Sequence, residues 1–537
     1  MVMDRVNKNT RGKISQLRLH ARDRRPLYEQ LAYAIAELIR DGELAEGTRL
    51  PALREIAKLH GVALVTASQA YEVLAAEGLV SSRTGRGTFV SFKDHAAAQP
   101  SLQPSWGNRH RSPLQQPTDD GAGREWTQPY KVFSPQSRRY ETFELLRASA
   151  RPGAMALSAG HTAPETYPLS DFAECFARTF LDDPPAIHQY RVDRGDVTLR
   201  EACAERLRAR GADVSADDIL IVSGAQQALS LVTDCFVREG DVVAAEAPTY
   251  FSALETFDQR HVSWVSVTGD RDGILVDSFV NAAAKFSPRV LYVNSAAQNP
   301  TGSFLARSRH RQVLAAAERA NMTIVEDQTC WQLSYDGEPP PPLFASDRSG
   351  RVVLIESFSK MLFPSLRVGF IAAKGAAMNA LYAAKLRADS FTTTVSQRAL
   401  VRFLQSKAPA RHLRAARSLY RRRRDALVEA LARNLTADVR MTVPAGGLNM
   451  WIELPVQWSA RELLTHAAAA GLLFLPGSPF YPTQPATNTL RLSYGALPES
   501  HAPEAAARFG RALRSYASAQ RKNSALTASD PAITPAV

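Results

Sequence analysis

Cysteine is scarce in this chain. Four thiols, Cys175, Cys203, Cys235 and Cys330, are spread through 537 residues, tens of positions apart and with no C-x-x-C pair. That spacing excludes a zinc cage and a disulfide framework, and it fits a reducing compartment. No stretch approaches the ~18 uninterrupted apolar residues of a membrane span. The N-terminus lacks the apolar core of a secretory signal, so the expected location is the cytoplasm, with no membrane partner and no metal. Internal repeats are missing. Acidic residues fall short of basic ones, 53 against 65, for a formal charge of +12. Such an excess marks either contact with phosphate backbones or a solvated surface. Apolar residues make up 45 % and charged residues 22 %, close to the globular average of about 45–50 % and 25 %, which excludes wholesale disorder, collagen and coiled coil. The length excludes a single core, since domains stop growing near ~250–300 residues.

Three textures follow one another. Residues 1–91 read as short amphipathic helices ending in a Gly-rich segment. Residues 92–153 are rich in Pro, Gln, Ser, Arg and Asn, with almost no apolar period, and read as a flexible linker. About 60 such residues reach ~40 Å or more as coil. Residues 154–520 alternate β-branched runs with helical periodicity, the pattern of an α/β fold with a largely parallel sheet. The strand-like runs are Ile219–Val222, Val242–Ala245, Val290–Val293, Thr323–Val325 and Val352–Ile355. Residues 521–537 are Ala, Ser, Thr and Pro and are expected to be a disordered tail.

In the N-terminal unit, Leu27, Leu31, Ile35 and Leu38 define one face of a first helix that stops at Asp41-Gly42. A second helix starts after Leu50-Pro51, with Leu53, Ile56 and Ala57 inward, and breaks at His60-Gly61. A third spans Val62 to Glu77 and turns Ala67, Ala70, Tyr71 and Leu74 inward. Helix, Gly-containing turn and helix is the helix-turn-helix plan. Two short strands, Gly78-Leu79-Val80 and Gly87–Val90, enclose Arg83 and Arg86 as a wing. A bland three-helix bundle has the same period.

Residue detail separates the two readings. Pro26-Leu27-Tyr28, Gly47, Leu50-Pro51, Arg54, Ala57, Gly61-Val62, Thr66, Ala70-Tyr71, Leu74, Glu77-Gly78 and Gly85-x-Gly87-Thr88-Phe89-Val90 resemble the GntR-type winged helix-turn-helix over its whole length. By their chemistry Arg54, Arg83 and Arg86 neutralise phosphates or enter a minor groove, while Thr66, Ser68 and Gln69 reach base edges of double-stranded DNA. One departure is Ala63-Leu64, where the family usually places Ser-Arg, which removes a donor and a charge. A basic arm including Arg5, Lys8, Arg11 and Lys13 either compensates or is merely solvated.

In the second unit, Ser357-Phe358-Ser359-Lys360 admits two chemical readings. A penicillin-binding Ser-x-x-Lys also needs Ser-Asp-Asn and Lys-Thr-Gly, and both are missing. The other reading is a lysine that forms a Schiff base with pyridoxal 5'-phosphate, flanked by the hydroxyls of Ser357 and Ser359 and followed by Arg367 for the phosphate. That reading requires further parts in a fixed order. Gly224, Ala225 and Gln226 follow a strand-like run and open a helix, a setting that suits a phosphate. Tyr250 stacks on the pyridine ring, Asn299 in Asn299-Pro300-Thr301-Gly302 offers an amide to the ring hydroxyl, and Asp327 keeps the ring nitrogen protonated. Arg491 offers a fork to a substrate carboxylate. Each part alone has a plainer reading, such as Tyr250 in a core and Asp327 as a loop cap.

Together, from Ala154 to Tyr516, these parts resemble the fold-type I aminotransferases. The resemblance implies that Tyr190, in His188-Gln189-Tyr190, reaches the phosphate of a partner subunit in a domain-swapped homodimer. It departs at Thr329 and Cys330, where such chains usually carry a tyrosine that hydrogen-bonds the ring hydroxyl. The implied fold is multidomain: a mostly α winged helix-turn-helix, then an α/β fold-type I domain. Reader, linker and aminotransferase-like domain together resemble the MocR/GabR regulators. The expected function is a transcription factor binding an operator and sensing an amine, an amino acid or the cofactor through an aldimine at Lys360. The alternatives are an aminotransferase with a DNA-binding appendage and a cofactor-free dimerising scaffold. Arg414, Arg417 and Arg421 to Arg424 are expected on a solvated helix face, outside the reader.

Overall fold

The structure, a computed structural model, describes residues 13–15, 17, 27–62, 64–76, 79–83, 87–91, 154–182 and 193–528. Arg86, Tyr190 and the linker 92–153 lie outside the described residues, and Arg54 and Arg83 are described in their backbone only. The chain divides into two compact units, residues 1–103 and 104–537.

The first unit contains three helices, α1 (Leu27–Arg40), α2 (Leu53–His60) and α3 (Leu64–Ala76), followed by an antiparallel pair, β1 (Val80–Arg83) and β2 (Gly87–Val90). Leu31, Ala32, Ile35, Ala36 and Ile39 of α1 close onto Ile56 of α2 and Ala67, Ala70, Tyr71 and Leu74 of α3. Leu27, expected inward, is 44 % exposed, because it opens the helix and lies beyond the edge of that core. The turn between α2 and α3 begins at Gly61, whose φ of 63° is a left-handed value that caps α2 through an N–H bond to the Ala57 carbonyl. Tyr71 donates its hydroxyl to the Pro51 carbonyl at 2.8 Å and so ties α3 to the entry of α2. The wing is anchored by Leu50 N–H to Thr88 O at 2.9 Å and Gly47 N–H to Val90 O at 2.8 Å. Of the N-terminal arm, Lys13 pairs within the unit, with Glu43 at 2.6 Å.

The second unit is built on an eight-stranded sheet. Its strands are β4 (Ile219–Val222), β5 (Val242–Ala247), β6 (Ser263–Asp270), β7 (Gly273–Ile274), β8 (Val290–Asn294), β9 (Thr323–Asp327), β10 (Val352–Ser357) and β11 (Gly369–Ala372), preceded in the chain by a short β3 (Met155–Ala156). Spatial order is β4-β11-β10-β9-β8-β5-β6-β7. The run β10-β9-β8-β5-β6 is parallel, and β11 and β7 run antiparallel to their neighbours. The five runs read from the sequence are all strands. β6, β7 and β11 escaped that reading because β6 has exposed alternate residues, β7 is two residues long and β11 opens on a glycine. Helices cover both faces, so β8 and β10 are buried at every position and read as continuous apolar runs.

A second, four-stranded antiparallel sheet has the order β12 (Arg440–Met441), β13 (Asn449–Glu453), β16 (Thr489–Ser493), β15 (Leu475–Pro476), and β14 (Leu472–Leu473) pairs in parallel with β3. The last helix runs from Ala502 to Ala528, past the residue where the tail was expected to begin. The helix Ala408–Ala432 corrects a further expectation. Arg421 and Arg422 are exposed, but Arg423 and Arg424 are each 4 % exposed. Arg423 bonds to Glu165 and the Gly495 carbonyl, and Arg424 to Asp336 and the Pro444 carbonyl. Half of the basic run therefore clamps the interior of this unit, since a helix turns two of four consecutive residues inward.

Candidate functional site

The carboxyl ends of the parallel strands deliver most of the candidate residues to one edge of the sheet, the side on which open α/β folds bind ligands. β4 leads into Ser223-Gly224, β9 ends on Asp327, and β10 ends on Ser357 and turns into Lys360. Arg491 comes from β16 of the smaller sheet, paired with Trp451 and Leu475.

Gly224 precedes the helix Ala225–Phe236 with φ 87° and ψ 174°, a region essentially reserved for glycine. A Cβ there would lie 2.8 Å from Nη2 of Arg367. That nitrogen donates to the Ser223 carbonyl at 2.8 Å, so the guanidinium faces the start of the helix. Backbone amides and a guanidinium thus converge on one point, which suits a phosphate. Gln226 contributes its main chain, because its side-chain amide is turned to Thr256 Oγ1 at 2.8 Å. Ser357 and Ser359 lie 3.1 Å apart through their hydroxyls. Phe358, 1 % exposed, anchors the turn between them in the core.

Asp327 is buried, and burial raises its pKa, while hydrogen bonds from Thr329 and Tyr292 oppose the rise. Oδ1 accepts the Thr329 amide at 2.9 Å and its hydroxyl at 2.5 Å, and Oδ2 accepts the Tyr292 hydroxyl at 2.9 Å. The loop-cap reading of this aspartate is real, and three donors favour its carboxylate form. Tyr292 and Thr329 were not singled out as its holders. A tyrosine in an apolar strand reads as core, and its partner lies 35 residues away.

Lys360 donates from Nζ to the Gly160 carbonyl at 2.8 Å. Burial holds its pKa below the ordinary lysine value, Cys330 works against that shift, and Arg491 adds to it. Arg491, 3 % exposed, donates from Nη1 to Asn299 Oδ1 at 2.9 Å and from Nη2 to the Ser158 carbonyl at 2.6 Å. Its Nε is buried without a partner, and burial lowers its pKa to about 10. Its guanidinium also lies 5.2 Å from the Phe480 ring centre. With Oδ1 of Asn299 occupied, the amide is the end left for a further ligand. Tyr250 precedes the helix Phe251–Asp258 and is an electrostatic neighbour of Arg491. His161, also unanticipated, is held below its ordinary pKa by partial burial and then by Lys360 and Arg491.

Cys330 stands where the resemblance places a tyrosine. Burial pushes its thiol up to about 11, with Lys360 and Asp327 as charged neighbours. Tyr335 does not substitute, since its hydroxyl donates to the Gly447 carbonyl. Among the described residues there is no cluster of His, Cys, Asp or Glu fit to hold a metal ion, and no helix long and apolar enough to cross a membrane. All four cysteines are free thiols.

On the reader, Thr66 and Ser68 are half-buried and Gln69 is exposed, while Ala67, Ala70 and Tyr71 between and beyond them are buried. α3 therefore keeps an outward polar face opposite its core face.

These residues fit pyridoxal phosphate. The Gly224 cradle beside Arg367 accommodates a phosphate, the orphaned Arg491 Nε marks a buried cation with donor capacity to spare, and Lys360 is a half-buried amine of lowered basicity.

Comparison with known proteins follows the same division. Residues 154–509 match the family of class I and II aminotransferases, and residues 27–90 match the gntR family of bacterial regulatory proteins. The 2-aminoadipate transaminase of Thermus thermophilus is 34 % identical over 374 residues, which cover 69 % of this chain and 93 % of that protein. YdfD of Bacillus subtilis, named an uncharacterized HTH-type transcriptional regulator, is 29 % identical over 469 residues, 87 % of this chain and 92 % of its own. The crystal structure of α-aminoadipate aminotransferase from Thermus thermophilus, complexed with N-(5'-phosphopyridoxyl)-L-leucine, matches with a TM-score of 0.65 at 32 % identity, over 70 % of this chain and 95 % of that one.

Proposed function

The chain belongs to the class I and II aminotransferase family, and from the GntR-type reader fused ahead of that fold we propose that it is a DNA-binding transcriptional regulator. In this reading it uses pyridoxal 5'-phosphate to sense an amine, an amino acid or the cofactor itself. The observation that carries the proposal is one chain joining a helix-turn-helix to a domain in which half-buried Lys360 and buried Arg491 interact. A regulator-named relative, YdfD, is similar across 87 % of this chain.

Bound pyridoxal phosphate supplies an aldehyde that condenses reversibly with primary amines, attached to an electron-withdrawing ring. The chain supplies the rest. Amides of Gly224, Ala225 and Gln226, with Arg367, Ser357 and Ser359, would bind the phosphate, and Tyr190 of a partner subunit would reach the same group in a domain-swapped homodimer. Tyr250 would stack on the ring, and the Asn299 amide would meet the ring hydroxyl. Asp327, whose carboxylate form Tyr292 and Thr329 favour against the opposing effect of burial, would hold a proton at the ring nitrogen. Lys360 loses its proton at lower pH than an ordinary lysine. Arg491 exchanges Asn299 and Ser158 for an effector's carboxylate. On the reader, Thr66, Ser68 and Gln69 would read base edges, and Arg54, Arg83 and Arg86 would neutralise phosphates.

Borohydride treatment of the cofactor-loaded full chain, followed by peptide mapping, tests the site, with the label expected on Lys360. A label on any other residue sinks the assignment. Lys360→Ala is expected to lose the label and the visible band yet to bind operator DNA. The Lys360, Asn299 and Arg491 set also favours a second reading, an aminotransferase with an appended reader. Amino-group transfer to a keto acid at an enzymatic rate of about 1 s⁻¹ or more supports that one.

A further inference from the structure

A pair of opposite charges stands behind the phosphate cradle. Ser223, the residue before Gly224, is held through its amide, its carbonyl and its hydroxyl. The N–H donates to Gln227 Oε1 at 2.7 Å, the carbonyl accepts Arg367 Nη2 at 2.8 Å, and the hydroxyl lies 3.3 Å from Thr392 Oγ1. Gln227 in turn donates from Nε2 to Asp389 Oδ2 at 2.6 Å, and the Ser223 hydroxyl lies 3.5 Å from that same oxygen. One carboxylate thus orients, directly and through Gln227, the turn from which the cradle amides start.

Asp389 is the last residue of the helix Gly375–Asp389. Local electrostatics disfavour it there. The C-terminus of a helix carries partial negative charge, and an acid four residues after a lysine is the weaker order of an i,i+4 pair. Tertiary contacts offset that disadvantage. Lys385, one turn earlier and 2 % exposed, pairs with Asp389 Oδ1, and the carboxylate is 30 % exposed. Burial lowers the Lys385 pKa and Asp389 opposes the shift, so the ammonium depends on this carboxylate.

We propose that Lys385 and Asp389 are positioning residues for a phosphate monoester dianion: Asp389 holds Gln227 and Ser223 in place, and Lys385 cancels the charge that Asp389 sets behind the cradle. This rests on the pyridoxal phosphate reading given above. Without the lysine, an uncompensated carboxylate lies within 3.5 Å of the residue that precedes the cradle. Like charges at such range in partly exposed protein cost about tenfold in binding. A pair that served only to join two helices would act on the whole ligand alike, with no preference for its phosphate.

Spectrophotometric titration of the full chain with pyridoxal 5'-phosphate and with pyridoxal, which carries no phosphate, tests the pair through the ratio of the two affinities. Lys385→Met is expected to lower that ratio about tenfold. Lys385→Met combined with Asp389→Asn removes both charges and is expected to return the ratio to within about twofold of the parent's. Asp389→Asn alone, whose amide oxygen still accepts from Gln227, should leave the ratio at or above the parent's, and it decides the matter if Lys385→Met fails to fold. An unchanged ratio in Lys385→Met, a double variant as poor as the single one, or a lowered ratio in Asp389→Asn overturns the charge role and leaves the cofactor site standing. A protein that shows neither visible band nor borohydride label with either aldehyde overturns both.

Discussion

Replacing Gly224 by alanine separates the phosphate cradle from ordinary backbone strain. At φ 87° and ψ 174° a side chain costs about 1–3 kcal/mol. The new Cβ would also meet Arg367 at 2.8 Å from Nη2 and 3.1 Å from Cζ, forcing the guanidinium off the Ser223 carbonyl. Because Arg367 is exposed, that bond is taken at about 1 kcal/mol, the low end for a charged donor. The sum is about 2–4 kcal/mol of stability, or roughly 3–5 °C in Tm for a unit of this size. Displacing the fork removes a charge-assisted contact to phosphate, so pyridoxal phosphate affinity is expected to fall about tenfold or more. Gly211→Ala is the matched control, with φ 88° and no atom within 4 Å of its Cβ. It carries the backbone cost without touching Arg367. Thermal unfolding and spectrophotometric titration of both variants are the assays. If Gly224→Ala binds the cofactor as tightly as the parent, or if both variants lose affinity equally, Arg367 does not form the phosphate fork.

Three further outcomes are expected. Glu246, 3 % exposed, has its pKa pushed up to about 8 by burial. Its contribution is therefore full below the unfolded value near pH 4.3 and is lost as pH rises through about 8. Glu246→Gln should gain on the parent by up to a few kcal/mol across that window, read by denaturant unfolding at several pH values, and parallel profiles would falsify the assignment. Tyr292→Phe removes the donor on Asp327 Oδ2 at nearly constant volume. It should cost about 1–2 kcal/mol of stability and weaken cofactor binding, and a titration identical to the parent's means that Asp327 needs no such support. Leu31→Ala empties a fully buried position in the reader at about 2–5 kcal/mol. DNA affinity should drop while the cofactor band persists, and joint loss of both signals would show that the two units do not fold independently.

Much of the architecture was legible because it is written in local periods. The three reader helices and the five strands read from the sequence follow from spacings of about 3.6 and from apolar runs of three or four residues bounded by turns. The reading failed where local pattern and environment part company. Arg421 to Arg424 are chemically alike, yet two are solvated and two are buried, because Glu165, Asp336 and two carbonyls wait on one side of the helix. Thr329 looked like a loss relative to the aminotransferase pattern. In the fold it is a holder of Asp327.

By itself the sequence determined the order of the parts: a reader, a polar segment, Gly224, Asn299, Asp327 and Lys360 each at a turn or strand end, and Arg491 within a strand. Chain order and strand ends depend on near neighbours, so residue type and spacing suffice to find them. Only the tertiary structure decided what those groups bond to. Lys360 meets a carbonyl 200 residues away, and Arg491 meets one 333 residues away. Backbone carbonyls carry no residue-type signal. Burial, which sets the basicity of both cations, is likewise a property of the packed fold and of no segment within it.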